Sequence, residues 1–230
     1  MSRYVIKFSK EGAIRYISHL DLLRLFKRSF KRVGIKLQHT QGFNPHPKMS
    51  FAQPLSLGYS SIGEYLEFDT TEHDSCDEIL ERLASVMPEG VTVISCRELP
   101  AAGKSLAALI IAADYTVSIP SAPGYDGDLD AAVERYMAQE RINVMKQQKK
   151  TGREIETDIR PMIKSLSGIV DDNNIILTMK LAAGSASNLS PEIVLRTFCD
   201  FAGIRFDRSE VVICRTGMDF ASPDHSDHSC

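Results

Sequence analysis

The chain has 230 residues, of which 43% are hydrophobic and 25% charged, a composition typical of folded globular proteins rather than disordered ones. No apolar run approaches the roughly 18–20 residues that a membrane-spanning helix needs, and the N-terminus lacks the apolar core of a signal peptide. The five cysteines are odd in number and widely spaced, with no CxxC motif, which is typical of a reducing compartment. We therefore expect a cytoplasmic protein.

The net charge of −3 conceals an uneven distribution of charge along the chain. The first 50 residues hold 11 Lys and Arg and two acidic residues, whereas the remaining 180 residues hold 16 Lys and Arg and 28 acidic residues. A strongly positive segment favours anionic partners such as phosphates or an acidic protein face. Solvated charges that happen to cluster would produce the same pattern.

Alternating and helical patterns follow one another in the first 100 residues. Residues 3–9 alternate as a strand, and a helix is expected from a Ser18 cap to a Gly34 stop. Two strands are expected in "MSFAQPLSLG" and "EYLEFDTT", joined by a turn at "YSSIG", and then a helix at 75–90 and a strand at 91–99. This β-α-β-β-α-β order favours the ferredoxin-like topology.

The second half shows a similar order after a linker at 100–105. A strand at "DYTVSI", a helix at 126–140, two or three strands within 142–170, a strand at 173–183, a helix at 190–203 and a strand at 210–218 are expected. The prediction is an α+β fold, a tandem of two ferredoxin-like halves with antiparallel sheets. Its domains would be 1–100 and 101–222, and the polar tail 223–230 is expected to be disordered.

The helix after Ser18 has one apolar and one cationic side. At about 100° per residue, Leu22, Phe26, Phe30 and Val33 share one face, which we expect to enter the core. Five cations share the other face: Arg24, Lys27, Arg28, Lys31 and Arg32. His19 falls on the apolar side, where a histidine is more often packed than catalytic.

Residues 38–54, "QHTQGFNPHPKMSFAQP", fit neither a helix nor a clean strand. Pro45 and Pro47 fix their own backbone angles and favour extended conformations at the preceding residues. The segment is thus predicted to be a stiff loop that displays side chains able to stack on or hydrogen-bond a ligand. These are Gln41, Phe43, Asn44, His46 and Lys48. A rigid connection with Phe43 as a core plug is the structural alternative.

Other candidate sites in the sequence are weaker. His19, His39 and His46 have no known metal-ligand spacing, and no phosphate-binding, nucleophile-elbow or iron–sulfur motif is present, so no metal or cofactor is predicted. In the second half, Arg160 and Lys164 are four residues apart in "DIRPMIKSL". Asn188 lies in "GSASNLSPE", a small-residue loop that leads into a helix N-terminus and could hold an anion.

The pairing of "SHLDLLR" with "QGFNPHP" resembles the signature of the radical SAM-linked protein family, a bacterial family of uncharacterised function. "SLAALIIAADY", "DIRPMIKSL" and "GSASNLSPE" are similar to its later motifs, so that the resemblance covers about residues 1–215. Proteins of this family occur beside, or fused to, a cobalamin-type radical S-adenosylmethionine enzyme. The resemblance therefore implies a partnership with such an enzyme. It implies no reaction and no catalytic residue.

Three functions remain open from the sequence. In the first, the basic helix, the proline-rich loop and Arg160 with Lys164 hold tRNA or rRNA for a radical SAM enzyme, without catalysis. In the second, the chain is a metal-independent endoribonuclease with His19 or His46 as general base, by analogy with the CRISPR-repeat-cutting endoribonucleases. In the third, the basic face docks only the radical SAM enzyme.

Overall fold

The computed structural model describes residues 2–120, 127–147, 152–172 and 174–221, which fall into two compact units. The first unit runs to Ile111 and also includes the segment from Cys214 onward, and the second is Ala112–Ile213. The domains predicted from the sequence, 1–100 and 101–222, stay a prediction; these units differ from them mainly in where the last strand belongs. The last strand had no local feature that could assign it to the first unit. The tail predicted at 223–230 lies outside the described residues.

The sheet of the first unit is mostly antiparallel. Its first four strands are β1 (Ser2–Lys10), β2 (Met49–Phe51), β3 (Ser60–Thr70) and β4 (Val91–Leu99). Both β4 and β3 pair with β1, and β2 pairs with β3, which gives the order β4-β1-β3-β2. β1 and β2 thus run in the same direction with β3 between them, a split β-α-β arrangement.

An amphipathic helix covers this sheet as the sequence predicts. It is α1 (His19–Arg32), which begins at a Ser18 cap that accepts a hydrogen bond from the Asp21 amide. Its buried rings contact the sheet, with Phe26 4.9 Å from Phe8 and Phe30 4.6 Å from Phe68 between ring centroids. Two other helices in this unit are α2 (Cys76–Ala84) and the short α3 (Leu106–Leu109), and a 3-10 turn spans Gly12–Tyr16.

The segment "GYSSIG" is only partly the turn that its glycines suggested: Gly58, with a φ of +82°, lies in a turn, whereas residues 60–63 are strand. It enters β3 directly, because β10 (Val212–Phe220) pairs in parallel with it through Cys214 opposite Ser60 and Arg215 opposite Ser61. A Cβ atom built on Gly63 would lie 2.8 Å from the Thr216 carbonyl oxygen. Gly63 therefore permits a close backbone approach rather than a change of direction.

The second unit also combines helices with antiparallel strands. β9 (Asn174–Ala182) pairs with β5 (Ile110–Pro120), which leads into the unit, and with β8 (Ile163–Asp171). A separate hairpin joins β6 (Asn143–Gln147) to β7 (Glu154–Asp158). The helices are α4 (Leu129–Met137) and α5 (Pro191–Ala202), with a 3-10 turn at Arg160–Met162.

These elements confirm the α+β class and the mostly antiparallel pairing, while the tandem of ferredoxin-like halves stays a prediction. Among the described residues, no helix combines the length and apolar character required to cross a bilayer.

A buried ion pair joins β10 to β3. Arg215 and Glu64 are 1% and 2% exposed, and the guanidinium donates from Nε to Glu64 Oε1 at 2.8 Å and from Nη2 to Oε2 at 2.5 Å. Arg215 Nη2 also donates to the Gln53 carbonyl at 3.0 Å. Lys10, 1% exposed, donates to the carbonyls of Arg15 and Ile17, and burial lowers its pKa. Glu64 is thus the carboxylate that offsets two buried cations.

We expect Glu64→Gln to lower the free energy of unfolding by at least about 3 kcal/mol, because it removes the carboxylate that binds the buried Arg215 guanidinium. The matched control is Glu72→Gln, which breaks the exposed pair with Lys36 and should change stability little. Urea unfolding of both variants measures the difference. Equal stability of the two would show that the buried pair is dispensable.

Candidate functional site

Four cations of α1 carry no ion pair with any residue that the structure describes. Arg24 forms an ion pair with Asp21 at 2.8 Å. Hydrogen bonds from the Ser18 hydroxyl, which has the larger effect, and from Arg24 lower the pKa of Asp21. Within the part of the chain that the structure describes, no carboxylate lies within 4.0 Å of the other four. These are Lys27, Arg28, Lys31 and Arg32, and all four are exposed. We call this set the cationic face.

The end of this helix is held in place by α2. Arg82 of α2 donates from Nε and Nη2 to the carbonyl oxygen of Val33, at 3.1 and 2.5 Å, and from Nη1 to Asp74 at 2.9 Å. A guanidinium at a helix C-terminus also interacts favourably with the negative end of the helix dipole. The cationic face is therefore fixed to the first unit at the point where its helix ends.

Residues 38–48 form a short paired stem with an exposed tip, which we call the loop hairpin. The Gln38 amide donates to the Asp69 carbonyl at 2.8 Å, and the Asp69 amide donates to the Lys48 carbonyl at 3.0 Å. The Lys48 amide donates to the Gln38 carbonyl at 2.7 Å, and His39 bridges Pro47. The sequence predicted stiffness from the prolines but not this pairing, which depends on the distant end of β3.

The tip of the loop hairpin displays side chains to solvent. Phe43 is 112% exposed relative to its reference area, so it is not the core plug of the structural alternative. Gln41 and Asn44 are exposed as well, and Gly42 has a φ of +128° that favours glycine. The tip therefore presents an aromatic ring and two amide groups on a backbone whose two ends are hydrogen-bonded.

His46 is ordered by the hairpin itself. Its Nδ1 lies 3.1 Å from Thr40 Oγ1 and 3.3 Å from the Asn44 carbonyl oxygen, while its amide donates to Thr40 Oγ1 at 3.1 Å. Nε2 has no hydrogen-bond partner among the described residues, and the side chain is exposed. Lys48 is less available, since it donates to Gln38 Oε1 at 3.0 Å and lies 3.7 Å from Asp69.

A cavity of about 510 Å³ brings the cationic face and the loop hairpin together. Lys27 and Lys31 line it from the helix, and His39 and Pro47 line it from the hairpin. The buried side chains of Phe30, Ile35 and Leu37 form its apolar part. This cavity was not predicted from the sequence. The only clue to it was the "GIKLQH" stretch, where apolar residues flank Lys36 after the helix ends.

The remaining predicted site residues are described by their own local contacts. His19 packs edge-on against Phe51, with ring centroids 5.2 Å apart, as its place on the apolar side of α1 predicted. Arg160, Lys164 and Asn188 belong to the second unit. The Arg160 guanidinium donates to the carbonyls of Met137 and Ile163, which is a structural use, and exposed Lys164 donates to the Pro161 carbonyl. Asn188 is exposed in the loop before α5.

No group of three or more His, Cys, Asp or Glu side chains in the described ranges is arranged to hold a metal ion. The chemistry that the site offers is thus that of ammonium and guanidinium groups, one aromatic ring, amides and imidazoles. These groups bind anions and stack on planar molecules.

No curated protein matches this sequence significantly. A chain of the Cbf5-Nop10-Gar1 complex aligns with a TM-score of 0.49 at 8% identity, over 94% of this chain and 48% of that chain, so this protein spans about half of its length. An unknown protein from Galdieria sulphuraria aligns with a TM-score of 0.29 at 11% identity, over 93% and 98% of the two chains. Likenesses this distant transfer no function.

The family comparison is decisive where these structural ones are not. The profile of a family of uncharacterized proteins conserved in bacteria (DUF2344) matches residues 3–191, which include α1, the loop hairpin and most of the second unit. The chain belongs to this family of bacterial proteins.

Proposed function

We propose that this protein is a non-catalytic RNA-binding module in which the cationic face and the loop hairpin hold one stretch of RNA. The observation that carries the proposal is the shared cavity: it places Lys27 and Lys31 next to the base of a hairpin whose tip exposes Phe43. Cations that track the phosphates beside groups that stack on or read bases are the two components of single-stranded nucleic-acid binding.

The charge pattern supports an anionic partner more specifically than the net charge does. Elsewhere in the first unit some cations are paired, as in Lys36–Glu72 and Arg82–Asp74, while other exposed cations among the described residues, such as Arg97 and Lys104, are scattered singly and have no ion pair. Four adjacent cations without carboxylates repel one another, and this repulsion falls when phosphates bind and release their counterions. The surface is therefore better suited to a polyanion than to solvent alone.

The finer parts of the proposal rest on the resemblance to radical SAM-linked proteins. We propose that the RNA is a tRNA or rRNA substrate of a cobalamin-type radical SAM enzyme in the bacterial cytoplasm, and that this protein presents it. We also propose that both units are ferredoxin-like, since the β4-β1-β3-β2 order of the first unit fits that topology.

RNA affinity should fall steeply with salt. For about four phosphate contacts on a single strand, the slope of log K against log salt is expected near −3. Arg28→Glu should reduce affinity by at least about tenfold, because it replaces an attraction by a repulsion in the middle of the cationic face. Filter binding with a radiolabelled RNA measures both quantities.

The matched control is Arg135→Glu, an exposed charge reversal on α4 in the second unit, which should leave RNA affinity unchanged. Affinity that is absent or flat with salt contradicts the proposal. If nuclease-treated protein then still captures the radical SAM enzyme, and Arg28→Glu abolishes that capture, the surface is a protein-docking one.

Phe43→Ala should weaken binding of single-stranded RNA by roughly five- to hundredfold, the range that corresponds to the about 1–3 kcal/mol of one base-aromatic stack. Because the Phe43 side chain is fully exposed, the melting temperature should not change. Leu57→Ala, at another exposed apolar position of the first unit, is the control. Unchanged affinity in Phe43→Ala would remove stacking from the mechanism.

The endoribonuclease alternative depends on a histidine acting as general base. His46 is the better placed of the two candidates, because its imidazole is exposed whereas His19 packs on Phe51. We expect labelled RNA to stay intact when incubated with the protein and a chelator. Cleavage that disappears in His46→Ala would establish the enzyme instead.

A further inference from the structure

The cavity beside α1 has the size and the walls of a ligand pocket. Its volume of about 510 Å³ lies within the roughly 300–1,000 Å³ of small-molecule sites. Phe30, Ile35 and Leu37 supply an apolar wall, and Pro47 supplies a flat ring from the hairpin. Gly34, with a φ of +75°, adds no side chain where it lines the cavity.

The rim of the cavity is cationic. Lys27 and Lys31 are exposed and have no ion pair within the described residues, whereas the third lysine, Lys36, is bound by Glu72 at 2.6 Å. Two uncompensated positive charges one helical turn apart therefore face an opening whose interior is apolar. Such a rim favours a ligand with an anionic end and disfavours cationic ligands.

The hairpin adds a directional polar group to this pocket. His39 Nδ1 lies 3.1 Å from the Leu37 carbonyl oxygen, and because a carbonyl oxygen can only accept, Nδ1 carries the hydrogen. In the neutral imidazole, Nε2 is then an acceptor that an exocyclic amino group could satisfy. An apolar slot with a cationic rim and one hydrogen-bond acceptor fits a planar heterocycle joined to a phosphate better than an alkyl chain, which needs no acceptor.

We propose that this cavity binds one nucleoside phosphate, with the base against the apolar wall and the phosphate between Lys27 and Lys31. If the nucleoside phosphate is a nucleotide of the bound RNA, the inference rests on the proposed function. That nucleotide would then unstack from its neighbours in the RNA and enter the pocket. A free nucleotide has the same chemistry, and the test below separates the two sources.

The test follows the methyl signals of Ile35 and Leu37 by NMR during titration with AMP, ribose 5-phosphate, adenosine and dodecyl phosphate. AMP should shift these signals and bind at least about tenfold more tightly than ribose 5-phosphate or adenosine, each of which lacks one recognised end. Tighter binding of dodecyl phosphate than of AMP would overturn the proposal in favour of an amphiphile site.

A variant that blocks the cavity tests whether RNA binding uses it. Thr71 is exposed and lines the cavity, so Thr71→Trp should fill the opening without disturbing the core, and Thr92→Trp at an exposed position of β4 is the control. Thr71→Trp should abolish the AMP shifts and weaken RNA binding at least about tenfold, with Thr92→Trp like wild type.

The outcomes separate the two proposals. If AMP causes no shifts, and Thr71→Trp binds RNA as tightly as wild type, the pocket proposal is overturned and the RNA-binding function stands. AMP shifts without any RNA binding by wild type support the pocket with a free nucleotide as its ligand, and they contradict the RNA-binding function.

Discussion

The candidate site depends on the backbone hydrogen bonds that join the loop hairpin to the end of β3. Asp69 donates to Lys48 and accepts from Gln38, and these two residues also bond to each other. Leu37 bridges Thr70 on the same edge. Because the chain leaves α1 only a few residues before Gln38, these bonds return it past the helix and close a cavity against Phe30. Without them the proline-rich segment would be a solvated connection with no defined relation to the cations.

The buried and half-buried cations of the first unit differ from the cationic face in their partners. Where a cation stabilises the fold, it is bound by a carboxylate or by carbonyl oxygens: Arg215 by Glu64, Arg82 by Asp74 and Val33, and Lys10 by two carbonyls. Desolvation makes such partners obligatory in the interior. The cationic face needs none for stability, since water solvates it. Folding therefore does not require these four adjacent cations to be unpaired, and RNA binding is the use that we propose for them.

Periodicity made the local parts of this fold predictable. The two faces of α1, its Ser18 cap and its end at Gly34 all follow from side chains within 17 residues of one another. The start of β3 did not follow, because Gly63 serves a contact with Thr216, more than 150 residues away. The cavity was hidden for the same reason: Lys27, Leu37 and Thr71 come together only through sheet pairing. Cations and prolines could be named from the sequence, but their shared pocket could not.

The order of the loop hairpin bears on how tightly a ligand could bind. Thr40 accepts from the His46 amide, its own amide donates to the His46 carbonyl, and Pro45 and Pro47 restrict the backbone between and beside these bonds. A loop held in this way loses little conformational entropy when a partner binds, so more of each contact contributes to affinity. The exposed Phe43 ring lowers solubility and adds no packing to the fold. Because the hairpin that carries it is rigid, the ring has one defined orientation toward a ligand. An ordered hairpin beside unpaired cations is the arrangement that the proposed planar, anionic partner requires.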